Sequence, residues 1–356
     1  MIYRLREPLG DSTDSYLDRE SEKMKDLDLT FAMSPYDRVE ALISGEIKPL
    51  GISLHHVPLP GPDIFYRQLK FNQFDVSEMS FSSFLMARAK GWGYRALPIF
   101  HNRQFEYTKL LIRNDIGINS PEDLKGKRIG TSDYQQTAAL WIRGQLQHEF
   151  GVKPTDMEWF MSRSPRYSHG GALGGFKPPP GLKFSYAPKD LGTMLLEGDM
   201  DAAHYQFGAG LDRGKADMNH HPKLRYLFPD RQTEAIRYYK KNGFFPAHHL
   251  TVVREEILQE HPWVATALLE AFEKSKKIAI ERIPPRGPSL IVFAEQALRE
   301  QREIFGDDPF QYGFKANADV IDTVQTYSVE QGLTEKKQPV DELFAEEILL
   351  SEDVLS

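Results

Sequence analysis

The chain has 356 residues, 44 Lys and Arg against 51 Asp and Glu, and no cysteine. Disulfides, thiolate metal sites and a cysteine nucleophile are therefore excluded together, and a net charge of −7 spread along the chain leaves no basic footprint for nucleic acid. A hydrophobic fraction of 40% is enough to fill the core of one large domain or, more often at this length, of two lobes.

Residues 1–26 read as a polar, mixed-charge N-terminal extension. They hold no apolar stretch of the ~7–15 residues that a secretory signal needs. No segment offers the ~20 apolar residues of a membrane span. The expectation is a cytoplasmic protein with no membrane contact.

Leu27–Met33 alternates with period two and predicts a strand. Ser34-Pro35 predicts an N-cap with Pro at the first helical position, for a helix through Val39 and Leu42 to Ser44. Then come a strand at Ile52–Val57, a helix at Ile64–Lys70, a short strand at Phe74–Val76 and a helix at Ser82–Lys90. Tyr94–Phe100 and Thr108–Arg113 predict further strands. Strands alternating with helices predict a doubly wound α/β sheet.

A second unit opens at Ser120-Pro121-Glu122-Asp123-Leu124. Arg128–Thr131 predicts a strand, Asp133–His148 a helix and Met157–Met161 a strand. Ser162–Ala187, with Gly170-Gly171 and Pro178-Pro179-Pro180, is long enough to predict a functional loop or a cover over a cleft. A helix at Leu191–Leu196 and strands at Asp201–Tyr205, Leu224–Phe228 and Leu250–Val253 follow. Beyond His261 the pattern predicts helices over 263–281, 289–305, 318–331 and 340–350, with Pro284–Pro288 between the first two. Leu343, Phe344, Ile348 and Leu349 lie near one stripe, which docks on its own lobe or on a neighbouring subunit.

Several groups of side chains suit chemistry. In Tyr36-Asp37-Arg38 the guanidinium can fork onto a carboxylate, or the turn is simply solvated with Asp37 suiting the helix dipole. Ser82 or Ser83 reads as a helix cap, which leaves Glu78 and Ser80 unexplained. His101, Asn102 and Arg103 follow a strand, where an arginine either completes a clamp with Arg38 or lies in a surface turn. Thr131 to Thr137 runs from strand into helix, where free N–H groups favour an anion and a Ser132–Gln135 capping box competes for the same donors. Asp133 would repel an anion, so Thr131, Ser132 or Thr137 is read as contacting a neutral hydroxyl. Asp201 with His204, and His248 with His249, are acid–base candidates. His249, His204 and Glu78 are also candidate metal ligands, although their spacing matches no metal motif.

Together, Ser34–Arg38, Phe74–Ser80, Pro98-Ile99-Phe100 with Arg103 and Phe105, Leu124–Gly130, Gly198–Ala202 and Phe245-Pro246 with His249 resemble the 4,5-dihydroxyphthalate decarboxylases over roughly residues 27 to 335. The chain departs from the family pattern at Phe105-Glu106-Tyr107, where the family carries Phe-Arg-His. A thiamin-pyrimidine synthase group on the same fold carries a Cys-rich motif, and the zero cysteine count excludes it.

The resemblance implies a two-lobed type II periplasmic-binding-protein-like fold. Each lobe would be a doubly wound sheet flanked by helices, with a helical C-terminal region. Lobe one would be 27–112 plus 246–356, lobe two 113–245, and strands near Leu110–Ile112 and His249–Thr251 would form the hinge. The ligand would lie between the lobes. The implied reaction is loss of CO2 from a hydroxylated benzene-1,2-dicarboxylate, with His249, Glu78 and Asp37 as catalytic residues. Tyr36, Arg38, Ser80, Arg103, Thr131, Ser132, Thr137, Asp201 and His204 would bind the substrate. No organic cofactor is expected, a divalent metal is the competing expectation, and the partners are a small aromatic carboxylate and further copies of the chain. The alternative is a solute-binding protein or sensor for a small aromatic acid.

Overall fold

The computed structural model describes residues 26–169, 173, 178–208, 214, 216–283 and 291–354. The N-terminal extension over residues 1–25, the Gly170-Gly171 part of the long loop, and the Pro284–Pro288 separator lie outside the described residues.

The first sheet contains β1 (Leu27–Ala32), β2 (Ile52–His56), β3 (Val76–Ser80), β4 (Tyr94–Arg103) and, far along the chain, β11 (Ala247–Arg254). Its order is β2-β1-β3-β11-β4. β1 pairs in parallel with β2 and β3, while β11 runs antiparallel between β3 and β4. The second sheet is built from β5 (Leu111–Arg113), β6 (Arg128–Thr131), β7 (Glu158–Met161), β8 (Lys183–Tyr186), β9 (Ala202–Ala203) and β10 (Leu224–Tyr226), in the order β10-β5-β9-β6-β7-β8. The chain crosses out after β4 and back before β11. The two crossovers touch, because the Gln104 N–H donates to the Pro246 carbonyl at 3.1 Å. The two strands expected at the hinge lie in different sheets, each beside one of the crossovers. β5 pairs with β9 and β10, whereas β11 pairs with β3 and β4.

The start of the chain differs in detail from its sequence pattern. After Ser34-Pro35 the backbone makes only a 3-10 turn at Asp37–Val39 and a single helical turn at Glu40–Ile43. The Ser34 N–H is instead used by the carboxylate of Glu78 at 3.1 Å. Phe74–Val76 proves to be the entry to a longer strand. Val76–Ser80 is fully buried although three of its five residues are polar, because this strand lies inside the sheet with protein on both faces.

One apolar cluster runs from the first lobe into the second, beside clusters that belong to each lobe alone. Phe65, Phe81, Phe84 and Phe100 of the first sheet's layer pack with Tyr134 and Trp141 of the second unit and with Tyr327. Trp141 lies on the helix Thr137–Phe150 and donates its indole N–H to the Ala247 carbonyl at 2.8 Å. Gly144, one turn on, is required for this fit: a Cβ there would stand 2.1 Å from the Tyr327 ring. The C-terminal stripe docks on its own lobe, with Leu343, Phe344 and Ile348 buried and the Ala345 N–H bonded to the Ala96 carbonyl at 3.0 Å. Among the described residues no helix is long and apolar enough to cross a membrane.

Candidate active site

Strand register places the central residues. In the β3–β11 pairing Thr251 stands opposite Glu78 and His249 opposite Ser80. On its other side β11 shifts register against β4 on both sides of His249. Such irregularities re-aim a side chain out of the regular alternation. Here the shift leaves His248 buried and the His249 side chain 20% exposed.

Glu78 is completely buried and fully bonded. Its Oε1 accepts from the Tyr36 hydroxyl at 2.5 Å and from Nδ1 of His249 at 2.5 Å, and its Oε2 accepts from the Ser34 N–H at 3.1 Å. Burial alone would raise its pKa. The charge and hydrogen bond of His249, the nearby His101 and the Ser34 N–H outweigh burial and hold the carboxylate at about 2. A carboxylate only accepts, so Nδ1 of His249 carries the proton of this bond. His249 Nε2 makes no hydrogen bond to any described residue. Tyr36 is driven the other way: burial and the Glu78 charge push its phenol well above the ordinary value of 10. His101 stacks on Tyr36 at 6.0 Å between ring centroids and bonds the Thr251 hydroxyl at 2.5 Å. Burial lowers it to about 3, so it is a neutral brace.

A second layer joins the lobes through hydroxyl groups. Thr137 Oγ1 lies 2.8 Å from Ser80 Oγ and accepts from the Ser82 N–H at 3.0 Å, while Ser82 Oγ donates to the Gln135 carbonyl at 2.5 Å. Ser83 Oγ lies 2.6 Å from Nδ1 of His169.

The same fold recurs in solved structures, and the sequence has curated relatives. A family model described as an ABC transporter phosphonate periplasmic substrate-binding protein matches residues 35–175. The periplasmic aliphatic sulphonate binding protein SsuA from Escherichia coli superposes with a TM-score of 0.52 at 13% identity, covering 89% of this chain and 91% of that one. A 4,5-dihydroxyphthalate decarboxylase of Comamonas testosteroni is 34% identical over 329 residues, which is 90% of this chain and 97% of the relative. The chain belongs to the 4,5-dihydroxyphthalate decarboxylase family. A second family member, from Pseudomonas putida, is 34% identical over 227 residues, covering 62% of this chain and 85% of its own length. The periplasmic-binding-protein-like fold expected from the sequence is the one observed.

Within that family frame, the residues expected at the site fall into three groups. Glu78, His249, Tyr36, Ser80 and Thr137 come together as described above. Arg38 stands behind them, stacked 4.6 Å from the Tyr36 ring centroid and 4.1 Å from that of Phe310. Its guanidinium donates to the His101 carbonyl and to Asp37 at 2.9 Å. Ser132 lines a separate polar cavity of about 330 Å³ with Lys189, Asp190 and Gln206, beyond the carboxyl ends of the second sheet's parallel strands. Thr131 is fully buried, and its hydroxyl has no partner among the described residues.

The third group stands apart from the Glu78 cluster in this structure. The Asp37 side chain is 75% exposed and bonds its neighbour Arg38. Arg103 is buried and committed to the Phe245 and Gln311 carbonyls, at 2.8 and 3.0 Å, and to the Asn317 side chain. It ties the C-terminal region to β4 and forms no clamp with Arg38. Asp201 bonds the backbone and guanidinium of Arg128, at 2.8–3.1 Å. His204 is paired with Glu106 at 2.8 Å, both groups sealed from solvent. The three candidate metal ligands therefore do not converge. Among the described residues no group of three or more His, Cys, Asp or Glu is placed to hold a metal ion.

The departure at Glu106-Tyr107 is thus explained by local pairing. Glu106 meets His204, and the Tyr107 hydroxyl donates to Glu234 at 2.6 Å. Sequence reasoning missed Phe65, which packs edge-to-face on His249 with centroids 4.8 Å apart, and also His169. The only signal for His169 was its place in the long Gly/Pro-rich loop.

Proposed function

We propose that the protein is a cofactor-independent aromatic decarboxylase that converts 4,5-dihydroxyphthalate to protocatechuate and CO2 in the cleft between its lobes. Direct loss of CO2 would leave an aryl anion. Protonating the ring carbon that bears the carboxylate avoids this, because a phenolate para to it supplies electrons and a dienone forms. The carbon–carbon bond then breaks and aromaticity returns. The hydroxylated ring is its own electron sink, so neither an organic cofactor nor a metal is part of this proposal.

The observation that carries the reading is the His249–Glu78 pair. A buried, ionised carboxylate fixes the Nδ1 proton and compensates a positive charge on the ring, which leaves Nε2 to deliver a proton. Glu78 has no exposed surface and acts through His249 as a positioning residue. Arg38, stacked on Tyr36, adds positive potential that favours a dianion. The Comamonas relative's name supports the substrate. A cytoplasmic location and a homo-oligomeric state belong to the same proposal; cell fractionation and light scattering test them.

The activity is tested by incubating purified, chelator-treated protein with 4,5-dihydroxyphthalate in ordinary and heavy water. The expected result is CO2 release that survives chelation and slows in heavy water. Tight binding of the aromatic acid without CO2 would favour the solute-binding alternative instead.

A further inference from the structure

The proposed chemistry needs a base for the phenol as well as an acid for the ring, and the cluster on the first sheet supplies only the acid. Glu78 is fully engaged and Tyr36 is a donor to it. The first sheet's remaining imidazole at this place, His101, is enclosed between Tyr36, Thr251 and Phe272.

One further imidazole reaches the same place from the second unit. His169 packs edge-to-face on Phe65 with centroids 5.9 Å apart, and Phe65 is the ring that also packs on His249. The placement is built. The His169 N–H donates to Asp133 Oδ2 at 3.0 Å, Ser168 Oγ to Asp133 Oδ1 at 3.2 Å and Arg163 Nη1 to Asp133 Oδ2 at 3.3 Å. Asp133 thus anchors the segment 163–169 onto the second lobe. The His169 side chain then crosses to the first lobe, where Nδ1 meets Ser83 Oγ. His169 Nε2 is buried and has no hydrogen-bond partner among the described residues. With Nδ1 held by Ser83 and Nε2 unpartnered, one ring nitrogen of His169 is left to meet a ligand.

We infer that His169 is a second acid–base residue of this reaction, taking the phenolic proton of the substrate while His249 protonates the ring. The inference rests on the decarboxylase reading and names the base that reading lacks. The step balances. The phenolic O–H breaks as His169 gains a proton, and His249 gives its proton to the carboxylate-bearing carbon. The carbon–carbon bond then breaks and its electron pair returns through the ring to the phenolic oxygen. His169 hands its proton back, and solvent reloads His249. Burial, Arg163 and His249 hold His169 well below the ordinary imidazole range, so it enters the cycle neutral, with no proton to lose before it accepts one.

The test is steady-state CO2 release by wild type, His169→Ala and Ser83→Ala, with and without added imidazole. We expect His169→Ala to lose ~10²–10⁴-fold in kcat with KM changed only a few-fold. Added imidazole restores part of kcat, which a structural role would not allow, and Ser83→Ala falls about tenfold. Wild-type activity with an undiminished His169→Ala variant, or an impaired variant that imidazole does not rescue, overturns the inference alone. An inactive wild type overturns the decarboxylase reading and the inference with it. If His169→Ala does not fold, imidazole NMR of wild type titrated with protocatechuate decides. One newly protonated histidine as the catechol ionises supports the inference, and unchanged imidazoles refute it.

Discussion

Two buried carboxylate–imidazole pairs stand among the described residues, and they differ in what surrounds the imidazole. In Glu78–His249 the carboxylate is sealed but the histidine side chain is 20% exposed on an irregular stretch of β11. In Glu106–His204 both side chains are sealed, at 5% and 2% exposure, in the crossover between the sheets. Under the proposed function the same pairing serves the substrate in one place, and in the other it joins the crossover residue Glu106 to His204 of the second unit. What separates them is access to one ring nitrogen, which neither residue type nor spacing reveals.

The comparison is broken most severely at the sealed pair. Glu106→Ala leaves His204 buried without its partner, which typically costs ~3–5 kcal/mol. We expect a large fall in melting temperature, while kcat/KM per folded molecule stays within about threefold. Glu78→Gln should do the reverse. It keeps the shape but removes the charge that supports His249, so CO2 release should fall by ~10²-fold with a smaller loss of stability. If both variants lose stability and neither loses activity, the distinction between the pairs fails.

Acid sharpens the contrast. His101 beside Glu78 and His248 beside Glu106 are each lowered by burial to about 3. An unfolded histidine titrates near 6.5, so the unfolded chain binds more protons below that pH. The contribution is fully present above about pH 6.5 and is lost as pH falls towards 3, at up to ~1.4 kcal/mol per pH unit for each histidine. The Glu78 contribution survives further into acid, since it is lost only between the ordinary value of 4.5 and about 2. Melting curves from pH 8 to 4 should decline along this path, and the decline should be shallower in His248→Asn. The smallest effect is expected at Asp37→Ala. An exposed residue bonded to its neighbour should change kcat/KM by less than about twofold, as judged by initial rates.

Much of this was legible from sequence, and the failures have physical causes. The strand at Leu27–Ala32 shows its burial pattern directly, and Arg128–Thr131 is found where it is predicted. Glu78 and His249 stood out through the family's segments, whereas their mutual bond, from 171 residues apart, is a product of register between β3 and β11. β3 was cut short because Ser77-Glu78-Met79-Ser80 looks solvated, and the partners that make its burial tolerable lie elsewhere in the chain. Arg103 suggested a clamp because an arginine after a strand often meets a ligand. Its actual acceptors are backbone carbonyls and an asparagine more than 140 residues away. His169 was hidden because a loop's composition does not say which of its residues a buried aspartate will hold against the other lobe.

The most direct measurement of the central claim is CO2 evolution from 4,5-dihydroxyphthalate by wild-type protein and by His249→Gln, each checked for folding. The account predicts turnover by wild type and a ~10²–10⁴-fold lower rate in the variant. A folded His249→Gln protein that releases CO2 at the wild-type rate would contradict it.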